Sequence, residues 1–347
     1  MDKHTSVALW GLGAMGTGMA RMILRNELLS AYCAVSDKPG HIGRDLGEVV
    51  GVEQKTGVII GKDPAQELAR PEAEVVLIAT TSFTEQVFPQ IRLAIEHGLN
   101  VITIAEEMAY PYYKKPEIAR QIDRLAKQNG VSVLGTGVNP GFVLDTLVIC
   151  LTGVCSDISY IKAVRVNDLA PFGPTVMNTQ GVGKTEEEFR EGVEQGSIVG
   201  HVGFAESMSM IADALGWKLD SIEEMCEPII SNVERVTEHV RVQPGMVAGC
   251  RHSARARIRG EMVLEMEHPQ QVLPEAEGVK TGDYINIEGN PSIDVRICPE
   301  IPGGIGTCAI ALNMIPAVIN ARPGLLTMAD LPVPRALVGR LCKAKAF

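Results

Sequence analysis

The sequence predicts an α/β chain with two domains: an N-terminal doubly wound parallel sheet, then a C-terminal α+β domain built on an open mixed sheet. Three observations predict it. Short apolar runs alternate with amphipathic helical stretches early in the chain, a glycine-rich turn joins the first run to the first helix, and after Asn139 the texture shifts to long alternating segments. The 347 residues suffice for roughly two domains, with a large core and no need of staples. Boundaries are expected at 1–138 and 139–305, with 306–347 as a helical segment returning to the first domain.

Residues 6–10 (SVALW) form an apolar strand that enters Gly11-Leu12-Gly13-Ala14-Met15-Gly16, and the apolar residues of the following TGMARMILRNELL recur at helical spacing. Strand, glycine turn and helix in that order make the Rossmann fingerprint. Its first glycine permits the tight turn, its second lets backbone approach a pyrophosphate, and its third lets helix pack on strand. The free N–H groups and partial positive charge of the helix N-terminus suit that anion. A second strand, AYCAVSD, ends at Asp37, where a carboxylate can accept hydrogen bonds from the adenosine ribose hydroxyls. Asp37 predicts NAD, because a carboxylate repels a 2′-phosphate; Lys38 and Arg44 nearby leave NADP tolerated. EVVLIATTS (74–82) reads as a buried strand running into a polar loop, with Ala79, Thr80 and Thr81 as further cofactor contacts. NVITIAEE (100–107) and VSVLGTG (131–137) supply two more parallel strands, and QVFPQIRLAIEHG and EIARQIDRLAKQNG the helices between.

Such a sheet binds its ligands at the carboxyl ends of its strands, so Glu106 and Glu107, which close NVITIAEE, are candidates for chemistry. A hydride leaves carbon only when the attached heteroatom can donate a lone pair, and an ammonium cannot. A carboxylate that takes the ammonium proton and then activates water removes that obstacle. Adjacent side chains at a strand end alternate sides, so one of the two is expected to face the cleft, Glu106 first and Glu107 second. An acidic turn capping the next helix is the competing reading.

In GTGVNPGF (135–142), Gly135, Gly137 and Gly141 let the chain pass close to a ligand, and the loop, with Asn139 extended before its proline, is expected to present the Asn139 amide or backbone groups to nicotinamide, a plain interdomain turn being the competing reading. Phe142 is expected to border the substrate. Beyond it FVLDTLVICLTGV reads as a long apolar helix, and KTEEEFREGVEQG and GFAESMSMIADALGW as helices. YIKAVRVNDL, VRVQPGMVAGCRHSARARI and INIEGNPSIDVRI read as strands of a largely antiparallel sheet. At the end of AVRVND, Asn167 is placed to bond a substrate amine or carbonyl. Arg165, on the same strand face, is placed to hold a substrate carboxylate through a bidentate contact. Surface charge is the competing reading of both. Arg251, His252, Arg255 and Arg257 read as a solvated face or an intersubunit salt-bridge patch, and His201, ahead of a helix, as either structural or substrate-contacting. The tail GGIGTCAIALNMIPAVINARPGLL reads as an apolar helix.

With 32 Lys and Arg against 42 Asp and Glu, a net charge of −10 and 4% aromatic residues, nucleic acid and anionic membranes are disfavoured as partners. The cysteines Cys33, Cys150, Cys155, Cys226, Cys250, Cys298, Cys308 and Cys342 show no CxxC spacing, and several lie in apolar runs. Reduced thiols in the cytoplasm follow. The N-terminal MDKHTSVALW lacks a signal-peptide pattern and no apolar run reaches the length of a membrane span. No HxH, HExxH or Cys/His cluster points to a metal.

The set GLGAMGTGMA, TIAEEMAYP, GTGVNPGF, RVNDLAPFG and PGGIGTCA resembles the 2,4-diaminopentanoate dehydrogenases over nearly the full length. TIAEEMAYP and GTGVNPGF are more specific than the nucleotide fingerprint. Relatives are the native amine dehydrogenases that act on simple ketones and, more distantly, the dihydrodipicolinate reductases, whose His-rich catalytic stretch with a following lysine this chain lacks. The resemblance implies a reversible oxidative deamination in ornithine breakdown. The C4 amine of 2,4-diaminopentanoate becomes a ketone, giving 2-amino-4-oxopentanoate, ammonia and reduced cofactor, and the reverse reaction is a reductive amination. It places the family's catalytic carboxylate on Glu106 or Glu107, and a polar residue near the reacting amine on Asn167. Two other readings stay open: an amine dehydrogenase of simple ketones and amines, and a dinucleotide-sensing protein without chemistry. A homodimer is expected, since the exposed face of an open sheet needs a cover.

Overall fold

The computed structural model describes residues 4–53, 55–69 and 72–338; Cys342 and the rest of 339–347 lie outside the described residues. The chain divides into two units, 1–142 with 302–347, and 143–301. The first change of unit therefore falls at Phe142 rather than at 138, and the second at Ile301 rather than at 305.

The first unit opens with β1 (Thr5–Trp10), α1 (Ala14–Arg25), β2 (Leu29–Val35), α2 (Leu46–Val50), β3 (Ile60–Gly61) and α3 (Pro64–Leu68). It continues with β4 (Val75–Ile78), α4 (Thr84–Glu96), β5 (Asn100–Thr103), α5 (Pro116–Asn129) and β6 (Ser132–Gly135). All these strands pair in parallel, in the spatial order β3-β2-β1-β4-β5-β6. β4 and β6 are buried at every position, as strands covered by helices on both faces must be. α5 lays Ala119, Ile122 and Ala126 on the sheet and stops at Gly130, whose left-handed conformation ends the helix. Strand order reverses between β1 and β4, so the crevice outside their carboxyl ends is where this topology receives a ligand.

The second unit holds α6 (Thr146–Thr152), β7 (Asp157–Asp168), α7 (Pro174–Thr179), α8 (Glu186–Glu194), α9 (Phe204–Leu215) and β8 (Ser221–Ile230). After these come β9 (Arg235–Val236), β10 (Arg241–Val242), β11 (Val247–Ile258), β12 (Glu261–Gln271), β13 (Gly282–Asn290) and β14 (Ile293–Ile297). Its six-stranded sheet runs β14-β13-β7-β12-β11-β8 and is antiparallel except where β12 meets β7. Along β11 the buried Cys250, His252, Ala254 and Ala256 alternate with exposed Arg251 and Arg255, giving one covered and one open face. Two expectations need correction. The long apolar helix is only α6, because Asp145 caps Thr146 N at 2.5 Å while accepting from Ser207 Oγ at 2.8 Å. β8 and β12 were not foreseen at all; glutamates crowd their open face and each contains a proline.

The chain then returns to the first unit as α10 (Gly303–Asn313), α11 (Ile315–Ile319) and β15 (Gly324–Leu326). The expected single helix breaks at Met314, ahead of Pro316, and its end becomes a seventh parallel strand paired with β6.

Among the described residues the largest fully buried side chain is Arg235. It donates to Ser231 Oγ at 2.7 Å, Gln271 Oε1 at 2.8 Å and the Val272 carbonyl at 2.6 Å, and pairs with Glu277. It thereby ties β9 to the chain that leaves β12. Replacing it by leucine strands these acceptors. Arg235→Leu is expected to cost about 3 kcal/mol, read as a lower urea midpoint; an unchanged midpoint refutes the role.

Candidate active site

The glycine turn after β1 is built as a cradle. Gly11 sits at φ +96°, and a Cβ there would strike the Ala79 carbonyl and Thr80; a Cβ on Gly16 would overlap the Gly11 carbonyl oxygen. Those two glycines serve the protein's own close packing. A Cβ on Gly13 would meet nothing within 4 Å, which leaves open space before the N-terminus of α1. That helix has no side-chain cap and no acid in its first turn, so its free N–H groups suit a pyrophosphate. The residues present fit a dinucleotide. Leu12 is buried beneath the turn, Ala14 is exposed and Met15 half-buried.

Asp37 is exposed two residues past the end of β2. Arg44, a candidate for a 2′-phosphate, is already engaged with Glu48 at 2.6 Å and the Gly40 carbonyl at 3.1 Å. At the end of β4, Ala79 donates its amide to Trp10. Thr80 gives its hydroxyl to Gln90 of α4 at 2.6 Å, and Thr81 gives its own to Gln86. Both hydroxyl protons are thus spent on α4.

β5 ends at Thr103, and the two glutamates stand on a 3-10 turn, Glu106–Ala109. Strand alternation does not apply to such a turn, yet their environments differ. Glu107 is buried and accepts from Thr84 N at 2.8 Å, so it caps α4, the preceding helix rather than the next one. Glu106 is half-buried. Burial pushes its pKa up, the nearby Ser82 hydroxyl and its own backbone N–H pull down, and the charge of Glu107 pushes up again. A carboxyl so placed is poised to exchange a proton nearer neutrality than an exposed one.

The loop after β6 departs from expectation. Its glycines meet backbone rather than open space. A Cβ on Gly135 would collide with Met108 of the 3-10 turn, one on Gly137 with the Pro140 carbonyl, and one on Gly141 (φ +118°) with Gly137. They allow the chain to pass close to itself. Asn139 is half-buried before a cis peptide bond to Pro140, and Phe142 is half-buried at the end of the loop.

In the second unit neither Arg165 nor Asn167 is surface charge: they are 3% and 7% exposed, on one face of β7. Arg165 pairs with Asp283 of β13 at 2.6 Å and donates to the Ile301 carbonyl. Burial pushes the Asp283 pKa up while Arg165 opposes that shift. Asn167 Oδ1 lies 2.9 Å from His268 Nε2. Burial, followed by the charges of His201, Arg165 and His252, holds His268 well below the usual histidine range, so its ring is neutral. A neutral ring protonated at Nε2 donates to Oδ1 and leaves the Asn167 NH2 as a donor, suited to an oxygen acceptor. His201 stacks edge-on against His268 at 4.9 Å and Phe204 at 4.8 Å. Its backbone N–H donates to His252 Nδ1 at 2.9 Å, and His252 Nε2 lies 3.2 Å from Glu224. His252 therefore belongs to the covered face and not to a solvated basic strip.

Sequence reasoning missed His268, Asp283 and Ser82. The first two are visible only once β12 and β13 flank β7. Among the described residues no group of three or more His, Cys, Asp or Glu is placed to hold a metal ion, and no helix is long and apolar enough to cross a membrane.

Comparison with known proteins agrees with this chemistry. Residues 142–346 match the family described as the 2,4-diaminopentanoate dehydrogenase C-terminal domain, and residues 5–105 match the N-terminus of dihydrodipicolinate reductase. The chain is 49% identical over 344 residues to 2,4-diaminopentanoate dehydrogenase of Acetoanaerobium sticklandii, covering 98% of this chain and 96% of that protein. It is 25% identical over 357 residues to the amine dehydrogenase of Streptomyces virginiae, covering 97% and 98%. Among solved structures, the amine dehydrogenase from Mycobacterium smegmatis matches at a TM-score of 0.85 with 28% identity, over 96% of this chain and 97% of that one. These relatives are dehydrogenases, which sets aside the sensor without chemistry. The chain is a dehydrogenase of the nicotinamide-dinucleotide type and belongs to the 2,4-diaminopentanoate dehydrogenase family.

Proposed function

We propose that this chain catalyses the reversible oxidative deamination of 2,4-diaminopentanoate at C4, giving 2-amino-4-oxopentanoate and ammonia, as a step of ornithine breakdown. The observation that carries the reading is Glu106, a half-buried carboxyl of raised pKa just past the carboxyl end of β5, in a chain this similar to a 2,4-diaminopentanoate dehydrogenase. A nicotinamide dinucleotide held by Gly11–Gly16 supplies the hydride acceptor. Glu106 takes the proton from the C4 ammonium, so that its nitrogen can donate a lone pair as hydride departs. It then activates water against the iminium, and ammonia leaves. Asn167 donates to the oxygen that forms at C4, while Phe142 and His201 border the substrate and Asn139 the nicotinamide.

Arg165 holds the substrate carboxylate. Asp283 and Ile301 use only part of its five donors, and the pairing fixes the guanidinium in one orientation. This buried cation favours a diamino acid over the second reading, an amine dehydrogenase of simple ketones, which has no carboxylate to place. NAD is the preferred cofactor, because Asp37 stands free at the ribose end of β2 and Arg44 is occupied by Glu48. A cytoplasmic address suits the unbridged thiols of Cys226 and Cys250. The assembly is a homodimer across the open face of the second sheet, where Glu223, Arg255, Glu265 and Lys162 alternate in sign over four neighbouring strands and so complement a second copy about a two-fold axis.

Three measurements test these assignments. Glu106→Gln is expected to bind reduced cofactor normally while losing about 10³-fold in kcat, and Glu107→Gln to keep most of its turnover; an active Glu106→Gln overturns the mechanism. Arg165→Lys keeps the charge beside Asp283 but loses the planar fork. It should raise KM for 2,4-diaminopentanoate about tenfold or more and leave KM for an uncharged amine unchanged; equal effects on both favour the simple-amine reading. In sedimentation the protein should have twice the mass of one chain, and Lys162→Glu with Arg255→Glu half that value. A monomeric wild type removes the proposed interface.

A further inference from the structure

The covered face of the second sheet carries a hydrogen-bonded set that none of the assignments above uses. Gln180, the residue that ends α7, and Gln270, on β12, are 5% and 7% exposed. Gln180 Nε2 donates to the Gly200 carbonyl at 2.9 Å, and because a carbonyl can only accept, this bond fixes which end of the amide is which. Its Oε1 accordingly accepts, from the Cys250 thiol at 2.9 Å and from Gln270 Nε2 at 3.3 Å. Gln270 therefore turns its own Oε1 away from Gln180. That oxygen has no donor among the described residues.

Register places it beside the residues assigned to the substrate. Gln270 is paired with Asn167 of the neighbouring parallel strand and lies two residues beyond His268, so all three share the face that also carries Arg165. Two acceptors on that face are already engaged. Asn167 Oδ1 faces His268 Nε2, and Asp283 accepts from Arg165 with one oxygen and from Ile301 N, at 2.9 Å, with the other. A diamino acid brings a second ammonium next to its carboxylate, and a cation set down near Arg165 needs an acceptor to offset burial and like-charge repulsion. We propose that Gln270 is a specificity-determining residue for the substrate's second amine: its Oε1 accepts from the C2 ammonium while Arg165 holds the carboxylate. The proposal rests on the diamino-acid reading and deepens it, because a simple amine has nothing for this oxygen to bind. A neutral amide suits the task, since it takes an ammonium N–H without offering Arg165 a competing negative charge.

The test uses the intact enzyme and pairs of compounds that differ only in the C2 amine. In turnover these are 2,4-diaminopentanoate and 4-aminopentanoate; in competitive inhibition, which involves no chemistry at C4, they are 2-aminopentanoate and pentanoate. Gln270→Met keeps the length of the side chain but lacks a strong acceptor, and Cys250 still serves Gln180. It is expected to lower the ratio of kcat/KM for 2,4-diaminopentanoate over 4-aminopentanoate about tenfold, through KM, and to raise Ki for 2-aminopentanoate about tenfold relative to pentanoate. Gln270→Glu retains an oxygen acceptor and should keep or raise both preferences. A general disturbance of packing moves both members of a pair together, so ratios that Gln270→Met leaves in place overturn the proposal, as does a Gln270→Glu variant that loses selectivity as far as Gln270→Met. A wild-type enzyme with no turnover of 2,4-diaminopentanoate instead overturns the diamino-acid reading itself.

Discussion

The backbone of Met108 lies directly against the Cα of Gly135, with no room for a side chain between them. That contact lets the 3-10 turn after β5 fold back over the end of β6, burying Met108 and Ala109 in the first unit's core. Once the turn is seated, Glu107 reaches the N-terminus of α4 and Glu106 is left beside Ser82. The placement of the acid group thus follows from a steric vacancy on the neighbouring strand. Elsewhere in the sheet the same device recurs at Gly11 and Gly16, where missing side chains let α1 begin immediately above β1.

Two adjacent glutamates in one motif end in different employments, one capping a helix and one held half-buried beside it. The difference comes from what each meets. Glu107 finds an unsatisfied amide at a helix start, where a carboxylate is favoured by both hydrogen bonding and the helix dipole. Glu106 finds partial burial, one hydroxyl and a like charge, and these pull its proton affinity in opposing directions.

Legibility in the sequence followed the range of the physics involved. The glycine turn was readable because its spacing reports local sterics, and Asp37 because it follows the second strand. The face shared by Arg165 and Asn167 was readable from strand alternation alone. Their partners were not: Asp283 and His268 lie 118 and 101 residues further along the chain. β12, which carries His268, was hidden by Pro269 and by glutamates on its open face. The choice between Glu106 and Glu107 was equally out of reach, since the rule for alternating side chains presumes a strand, and this one stops at Thr103.

The seventh strand of the first sheet, β15, comes from residues 324–326, after the whole of the second unit has been made. A ribosome therefore delivers 143–301 complete while β6 still presents a bare edge. Strand edges left open during synthesis invite wrong partners. The later-translated unit can reach its native form first, and the sheet of the nucleotide-binding half is sealed only once residues 324–326 have followed it out.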